Sequence, residues 1–314
     1  FGEDAKTAQV VGHISVGHRS AYRQVMLNGT IGSGEAYMAG AWRSSDLVQV
    51  IRIFVMNMDI VAGMDSKWNL AFKIAGNIYH KMNANSKIKA RENISAHYDL
   101  GNDFFKLFLD KTMLYSSAIY PSQSATLYEA SVYKMQHICK RLGLTSSDHL
   151  LEIGTGWGGM AIHAAKSTGC KVTSVTISQE QYDHAKSWVA KEGLESQVDI
   201  QLKDYRDITG QFDKLLSIEM IEAVGYQYYS EYFTQCSKLL KPDGKMLIQA
   251  ITIADQRYHD ERDNVDFIQR YIFPGGCLPS NEIIAQPVRK DTDMQIVGLD
   301  DITAHYAKTL ADWK

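Results

Sequence analysis

The chain has 314 residues, 45% of them hydrophobic and 22% charged, with a formal net charge of −3. That length can bury a large core and suggests about two domains, while the near-neutral balance, with no long basic stripe, gives no pull toward nucleic acid. No uninterrupted apolar run is long enough to cross a bilayer and no signal peptide opens the chain, whose first residue, Phe1, suggests a trimmed form.

Four scattered cysteines, Cys139, Cys170, Cys236 and Cys277, show neither CxxC nor Cys/His ligand spacing. Buried thiols of a reducing compartment are expected, and no metal. Residues 1–82 read as a mainly helical domain. Residues 46–56 put apolar side chains over much of a helix surface, and Trp68, Ala71, Phe72, Ala75 and Ile78 recur at helical spacing, both as core stripes. The glycine- and aromatic-rich stretch 32–42 suggests a tight turn packed on a second domain. A basic linker, 83–91, follows, flanked by Lys81 and carrying Lys87, Lys89 and Arg91. It reads either as a solvated connection or as a contact with an anionic membrane surface, at about 1 kcal/mol per basic residue near the lipid. Stretches 92–105 and 109–118 crowd aromatics and hydroxyls just ahead of the motif described next. They read as a lid over a cleft, or as packing helices with satisfied polar groups.

Residues 149–159, HLLEIGTGWGG, are a short apolar run ending in Gly154, Gly156 and Gly158 and passing into a helix-like segment. A strand, tight turn and helix start of this kind lets a ligand lie on the main chain and face free N–H groups. The GxGxG spacing departs from the dinucleotide GxGxxG; E/D-x-G-x-G-x-G resembles the mark of S-adenosylmethionine-dependent methyltransferases. Beyond it, strands at 149–153, 171–177, 198–202, 212–218 and 245–253 alternate with helices near 158–167, 179–192 and 227–240, with Ser178 as an N-cap and Lys241-Pro242-Asp243-Gly244 as a turn. The expected fold is α/β: a doubly wound, Rossmann-like class I methyltransferase domain over residues 92–314, behind the small helical domain.

Ligands of such sheets sit at the carboxyl ends of the strands. That rule gathers Gly154–Gly158, Thr176–Gln181, Asp204–Asp207 and Ser217–Glu222 into one site, with Glu152, Asp204, Tyr205, Arg206 and Ile218 as cofactor-binding candidates. Asp204 and Asp207 could also form a solvated turn. Glu219 and Glu222 fall three apart and would share one helix face.

Taken together, HYDLGNDFF, TMLYSSA, LEIGTGWGG, TISQEQ, SIEMIEAVG, FIQRYIFPGGCLPS at 267–280 and DDITAHYAKTL at 300–310 resemble the family of cyclopropane fatty acid synthases and mycolic acid cyclopropane synthases, across nearly the whole chain. The helical N-terminal part with GEAYMAG resembles the extra domain of the phospholipid-acting members. The resemblance implies methyl transfer from S-adenosylmethionine to a cis double bond of an unsaturated phospholipid in a bilayer. A carbocation then loses a proton to a bound bicarbonate and closes the three-membered ring. It implies a cytoplasmic protein held peripherally on the inner face of the membrane, with a homodimer among its options, and a family C-terminus that continues beyond Trp313. It assigns Glu222 as the active-site glutamate and Tyr306 as an anion contact, with Tyr98, Tyr115, Ser116, Gly154, Gly156, Thr176, Ser178 and Gln181 as cofactor contacts. Aromatic faces suited to a cation are available in Tyr271, Phe273, Tyr306 and Trp313, beside a substrate-side loop of FPGG and LPS.

Two positions depart from the family pattern. Ser117 stands where many members carry cysteine, and its N–H and hydroxyl remain able to hold an anion. Ile251 stands at the family's histidine, and Gln249, on the same side of an extended strand, is the candidate substitute. A methyl-branched lipid product, a polar small-molecule acceptor, or a lipid-binding homologue without chemistry remain the alternatives.

Overall fold

The computed structural model describes residues 10–57, 89–90 and 101–314. The chain divides into two compact units, one drawn from residues 1–82 with 263–272 and the other from 83–262 with 273–314. Trp68, Ala71, Phe72, Ala75 and Ile78, the basic residues Lys81, Lys87 and Arg91, and Tyr98 lie outside the described residues.

In the first unit, β1 (Ser15–Val16) pairs antiparallel with β2 (Trp42–Arg43), and α1 (Ser20–Met38) and α2 (Leu47–Met56) complete the described part. The tight turn expected over 32–42 is confined to its end, because α1 continues to Met38 and closes with Ala41 N–H donating to Ala36 O at 2.8 Å. Gly32 and Gly34 serve close packing instead. A Cβ on Gly32 would meet Gln24 O at 2.1 Å, and one on Gly34 would meet the Phe267 ring at 2.5 Å. A short helix, Phe267–Tyr271, is thereby seated on α1, and Tyr271 OH donates to Glu35 Oε1 at 2.6 Å. Asp46 caps α2 through Gln49 N–H. Of the α2 stripe only Val50 is buried, with Ala21, Ala36, Ala41 and Trp42; Val48, Ile51, Phe54, Val55 and Met56 are exposed rather than core.

The second unit is built on a parallel sheet. Its strands are β3 (His149–Ile153), β4 (Lys171–Thr176), β5 (Val198–Leu202), β6 (Phe212–Ile218) and β7 (Leu240–Gln249), ordered β5-β4-β3-β6-β7. Connecting and flanking helices are α3 (Leu127–Leu142), α4 (Gly159–Thr168), α5 (Gln179–Lys191), α6 (Tyr229–Leu239), α7 (Asn281–Asp291) and α8 (Thr303–Trp313). Alternation along β3 sends Leu150 into a core with α3, α4 and α5, and Leu151 and Ile153 into a second core with α6 and Val288 of α7. Helices on both faces make this the expected doubly wound class. All four cysteines are free and buried.

The last strand differs from its expected span. Leu240 pairs with Phe212 but Lys245 with Lys214, so Lys241–Gly244, the expected turn, bulges out within β7. At the other end β7 stops at Gln249, because its neighbour β6 ends at Ile218, opposite Gln249. Ala250–Ile253 leave the sheet, and Ile253 N–H turns to Pro279 O. The strand-side argument linking Gln249 to Ile251 therefore does not apply. Because the chain winds from β3 to β5 on one side and resumes at β6 on the other, the switch point opens between the carboxyl ends of β3 and β6.

Candidate active site

The turn after β3 begins with Gly154 and Thr155 both donating to Val175 O of β4, at 3.0 and 3.1 Å. Gly154 and Gly156 have φ of 99° and 53°, where an L side chain is strained. A Cβ on Gly156 would meet nothing within 4 Å, so the main chain there is open on the side a ligand would approach. Gly158 and Gly159 have packing roles: their Cβ positions lie 3.0 Å from Ala185 Cβ of α5 and 2.2 Å from Thr112 O. Behind the turn Glu152 is buried. Ser174 Oγ donates to its Oε2 at 2.5 Å and lies 2.8 Å from Thr155 Oγ1. Burial raises the Glu152 carboxyl to about 8, with the Ser174 bond opposing.

At the end of β4, Thr176 Oγ1 donates to Gln181 Oε1 at 2.9 Å and accepts from Ser178 N–H, while Ser178 Oγ caps Gln181 N–H. All three side chains are buried. After β5, Asp204 is buried and gripped by Arg206, which donates from Nε at 2.9 Å and from a terminal nitrogen at 2.7 Å. Asp204 is therefore no solvated turn residue, whereas Asp207 is exposed. Arg206 lies over the rings of Tyr205 and Tyr228.

The acids gather at the end of β6. Glu219 takes a left-handed backbone, φ 46°, a strain of order 1–3 kcal/mol for a non-glycine residue. Its Oε1 accepts from Ser117 N–H at 2.8 Å and from Gln249 Nε2 at 2.8 Å, and Gln249 Nε2 also reaches Ser117 O at 3.1 Å. Glu222 does not share a helix face with it, because a 3₁₀ turn over Ile221–Ala223 replaces the expected helix start. Glu222 Oε1 accepts from Ile251 N–H, and Oε2 is a buried oxygen without a hydrogen-bond partner among the described residues. Desolvation first, and then the charge of Glu219, push Glu222 up to about 8. Glu219 is also raised by desolvation, opposed by Lys134, Ser117 N–H and Gln249. Met220 lies 3.4 Å from the Cβ position of Gly154, joining this corner to the glycine turn. Cys277 N–H donates to Glu222 O at 2.8 Å, so the FPGG segment clamps the Glu222 backbone.

Lys134, in the middle of α3, is fully buried; its Nζ donates to Ser116 Oγ at 2.6 Å, and burial depresses it to about 8. From the other side α8 docks on residues 115–120. Ala118 N–H donates to Thr309 Oγ1 at 3.1 Å, Tyr120 N–H reaches His305 Nδ1 at 3.2 Å, and the Tyr115 and Trp313 rings lie 5.3 Å apart. Tyr306 is raised to about 12 by burial and by the neighbouring Glu219, Tyr115 and Glu222. Ser116, Ser117, Gln249, Glu222, Tyr115, Tyr306 and Ile218 are thus brought to one corner. Asp204, Tyr205 and Arg206 lie beyond β5, two strands away on the β4 side of the turn. Of the four proposed cation-facing aromatics, Trp313 and Tyr306 are here. Phe273 is exposed, and Tyr271 belongs to the first unit on Glu35.

A protein-family model, Mycolic acid cyclopropane synthetase, matches residues 85–314. This chain belongs to that family. Its relatives include tuberculostearic acid methyltransferase UfaA1 of Mycobacterium tuberculosis, 40% identical over 299 residues, which cover 93% of this chain and 69% of that protein. The cyclopropane-fatty-acyl-phospholipid synthase of Escherichia coli K12 is 36% identical, over 96% of this chain and 77% of its own length. Among solved structures, mycolic acid cyclopropane synthase CmaA1 complexed with SAH and CTAB superposes with a TM-score of 0.66 at 31% identity, covering 71% of this chain and 81% of that one. These are lipid methyltransferases and cyclopropane synthases, and this family member is an S-adenosylmethionine-dependent methyltransferase.

The open main chain at Gly156 and the polar residues at the ends of β3 and β4 fit S-adenosylmethionine, which supplies an electrophilic methyl group when bound. Bicarbonate is a different case. The Ser117 N–H that would hold it is spent on Glu219, Ile251 offers no side-chain donor, and two carboxyl groups already crowd the corner. The residues present do not fit a further anion there. Sequence reasoning noticed Glu219 as one of two acids without giving it a role, and missed Lys134 altogether.

Proposed function

We propose that this family member methylates a cis double bond in an acyl chain of a membrane phospholipid and closes a cyclopropane ring. The observation that carries the reading is the pairing of an open glycine turn with a half-buried acid corner flanked by Tyr115 and Tyr306 at the neighbouring strand end. An acyl double bond is a weak nucleophile, and the cationic carbon left after methyl transfer is trapped by any water present. Tyrosine and tryptophan faces stabilise positive charge while keeping water out. A nearby carboxylate completes the reaction by removing a proton. Bicarbonate is not part of this reading, for the reason given above.

We further propose that the protein works peripherally on the inner face of the cell membrane, with residues 1–82 as a lipid- or dimer-associated domain, 83–91 as a linker and 92–314 as the catalytic domain. The exposed Val48, Ile51, Phe54, Val55 and Met56 of α2 support lipid contact. Among the described residues no helix is long and apolar enough to cross a membrane.

A second reading is supported by the 40% identity to a tuberculostearic acid methyltransferase and by Ile251 at the family's histidine: a hydride shifts from the methyl-bearing carbon to the adjacent cationic carbon, and a proton of the new methyl group is then lost to form a C=C bond instead of a ring, giving a methylene-branched chain. The test supplies labelled S-adenosylmethionine and vesicles of unsaturated phospholipid, then resolves the acyl products by mass and NMR. A ring product is expected, a branched product selects the second reading, and unlabelled lipid overturns both.

A further inference from the structure

The acid corner contains more carboxylate than a single-glutamate site requires, and its two acids are held differently. Glu222 gives one oxygen to Ile251 N–H, and its other oxygen is enclosed with no hydrogen-bond partner among the described residues. That is an environment for a neutral carboxylic acid, and burial with the adjacent Glu219 charge keeps it so up to about pH 8. Glu219 has what an ionised carboxylate needs: two N–H donors, from Ser117 and Gln249, and the buried Lys134 ammonium nearby. Both donors reach Oε1, so among the described residues the lone pairs of Oε2 are left for another proton. The backbone accepts a left-handed conformation at a glutamate to place this group, a local cost that persists only where the surroundings enforce it. Gln249 is oriented in turn by Ser117 O, which fixes which end of the amide faces the carboxylate.

We infer that Glu219 is the catalytic base of this enzyme, its carboxylate built into the place where a bound anion would otherwise have to be recruited. The inference rests on the lipid methylation proposed above and assigns its proton acceptor. In that step a C–H bond of the newly transferred methyl group breaks, and its proton goes to Glu219 Oε2. The freed electron pair forms the third C–C bond to the cationic carbon. The charge on the acyl chain and the charge on the carboxylate cancel together, leaving a neutral ring and a neutral acid. The proton then leaves toward solvent through Glu222 or Tyr306, and no external base is consumed.

The decisive variant is Glu219→Gly, because glycine suits the positive φ and so removes the carboxylate without backbone strain. Glu219→Gln keeps the volume and removes the charge. In buffer depleted of carbon dioxide the unmodified protein should form product at the rate seen with added bicarbonate. Both variants should lose about 10²–10⁴-fold, the usual worth of a positioned base, with unchanged affinity for S-adenosylmethionine. Added bicarbonate should restore Glu219→Gly but not Glu219→Gln, whose amide still fills the corner. Dependence of the unmodified protein on bicarbonate, or full turnover by either variant in its absence, overturns the assignment. A second measurement is independent of the lipid reading: binding of ¹³C-bicarbonate followed by NMR. The expected result is no binding to the unmodified protein and binding to Glu219→Gly. Binding to the unmodified protein refutes the inference even if no lipid is ever methylated. Failure of every phospholipid substrate with this binding pattern intact refutes only the lipid reading.

Discussion

Glu152→Gln should stabilise the protein at neutral pH. The Glu152 carboxyl is buried, accepts from the Ser174 hydroxyl, and is raised by burial from its ordinary 4.5 to about 8. Between those values the unfolded chain has released this proton and the folded chain has not. The folded state thus binds more protons, and stability falls as pH rises, by about 1.4 kcal/mol per pH unit for one group. From pH 4.5 to 7 that amounts to about 3 kcal/mol, a large part of a typical domain's stability. Glutamine has the same shape, keeps an oxygen for Ser174 and cannot ionise, so this loss disappears. Urea titrations of both proteins from pH 5 to 7.5 should show the variant's advantage growing by about 3 kcal/mol across the range. A difference that stays flat with pH would show that the carboxyl ionises normally and that burial is not what governs it.

The remaining predictions concern the turn and the acid corner. Glu222→Gln removes a group that can pass on the proton and should slow lipid methylation while leaving S-adenosylmethionine affinity within about twofold; an unchanged rate refutes a catalytic part for this residue. Lys134→Met removes the buried ammonium beside Glu219. Glu219 should then hold its proton more tightly, moving the acidic limb of the pH–rate profile to higher pH, whereas a purely structural lysine would lower the rate without moving that limb. Gly159→Ala places a methyl group 2.2 Å from Thr112 O, and by overpacking should cost about 1–3 kcal/mol in urea unfolding.

Much of the second unit can be read from local sequence. The runs at 149–153, 198–202 and 212–218 are rich in apolar residues, and they form strands over those spans. The end of β7 is not legible in this way: it is set by where β6 stops, a property of the neighbour. In the first unit the glycines of 32–38 resemble a turn locally, yet Gly32 is there because Gln24, earlier in α1, lies against it, and Gly34 because Phe267 does. The acid corner is harder still. Helical spacing suggested that Glu219 and Glu222 share a face, but a left-handed residue followed by a 3₁₀ turn gives each its own partners. Lys134 lies in an ordinary amphipathic pattern, and it takes the approach of Ser116, Glu219 and Asp110 to explain a buried charge.

The sequence separations within the site imply an order of assembly. The glycine turn is completed by β3, β4 and the helix between them, neighbours along the chain. The acid corner depends on hydrogen bonds joining residues 102 and 132 positions apart, Ser117 to Glu219 and Ser117 to Gln249. Closing such long loops is entropically expensive and kinetically late. A refolding chain should therefore regain amide protection in the β3–β4 core before it does at Ser117, and so recover its nucleoside-binding half while still unable to manage a proton.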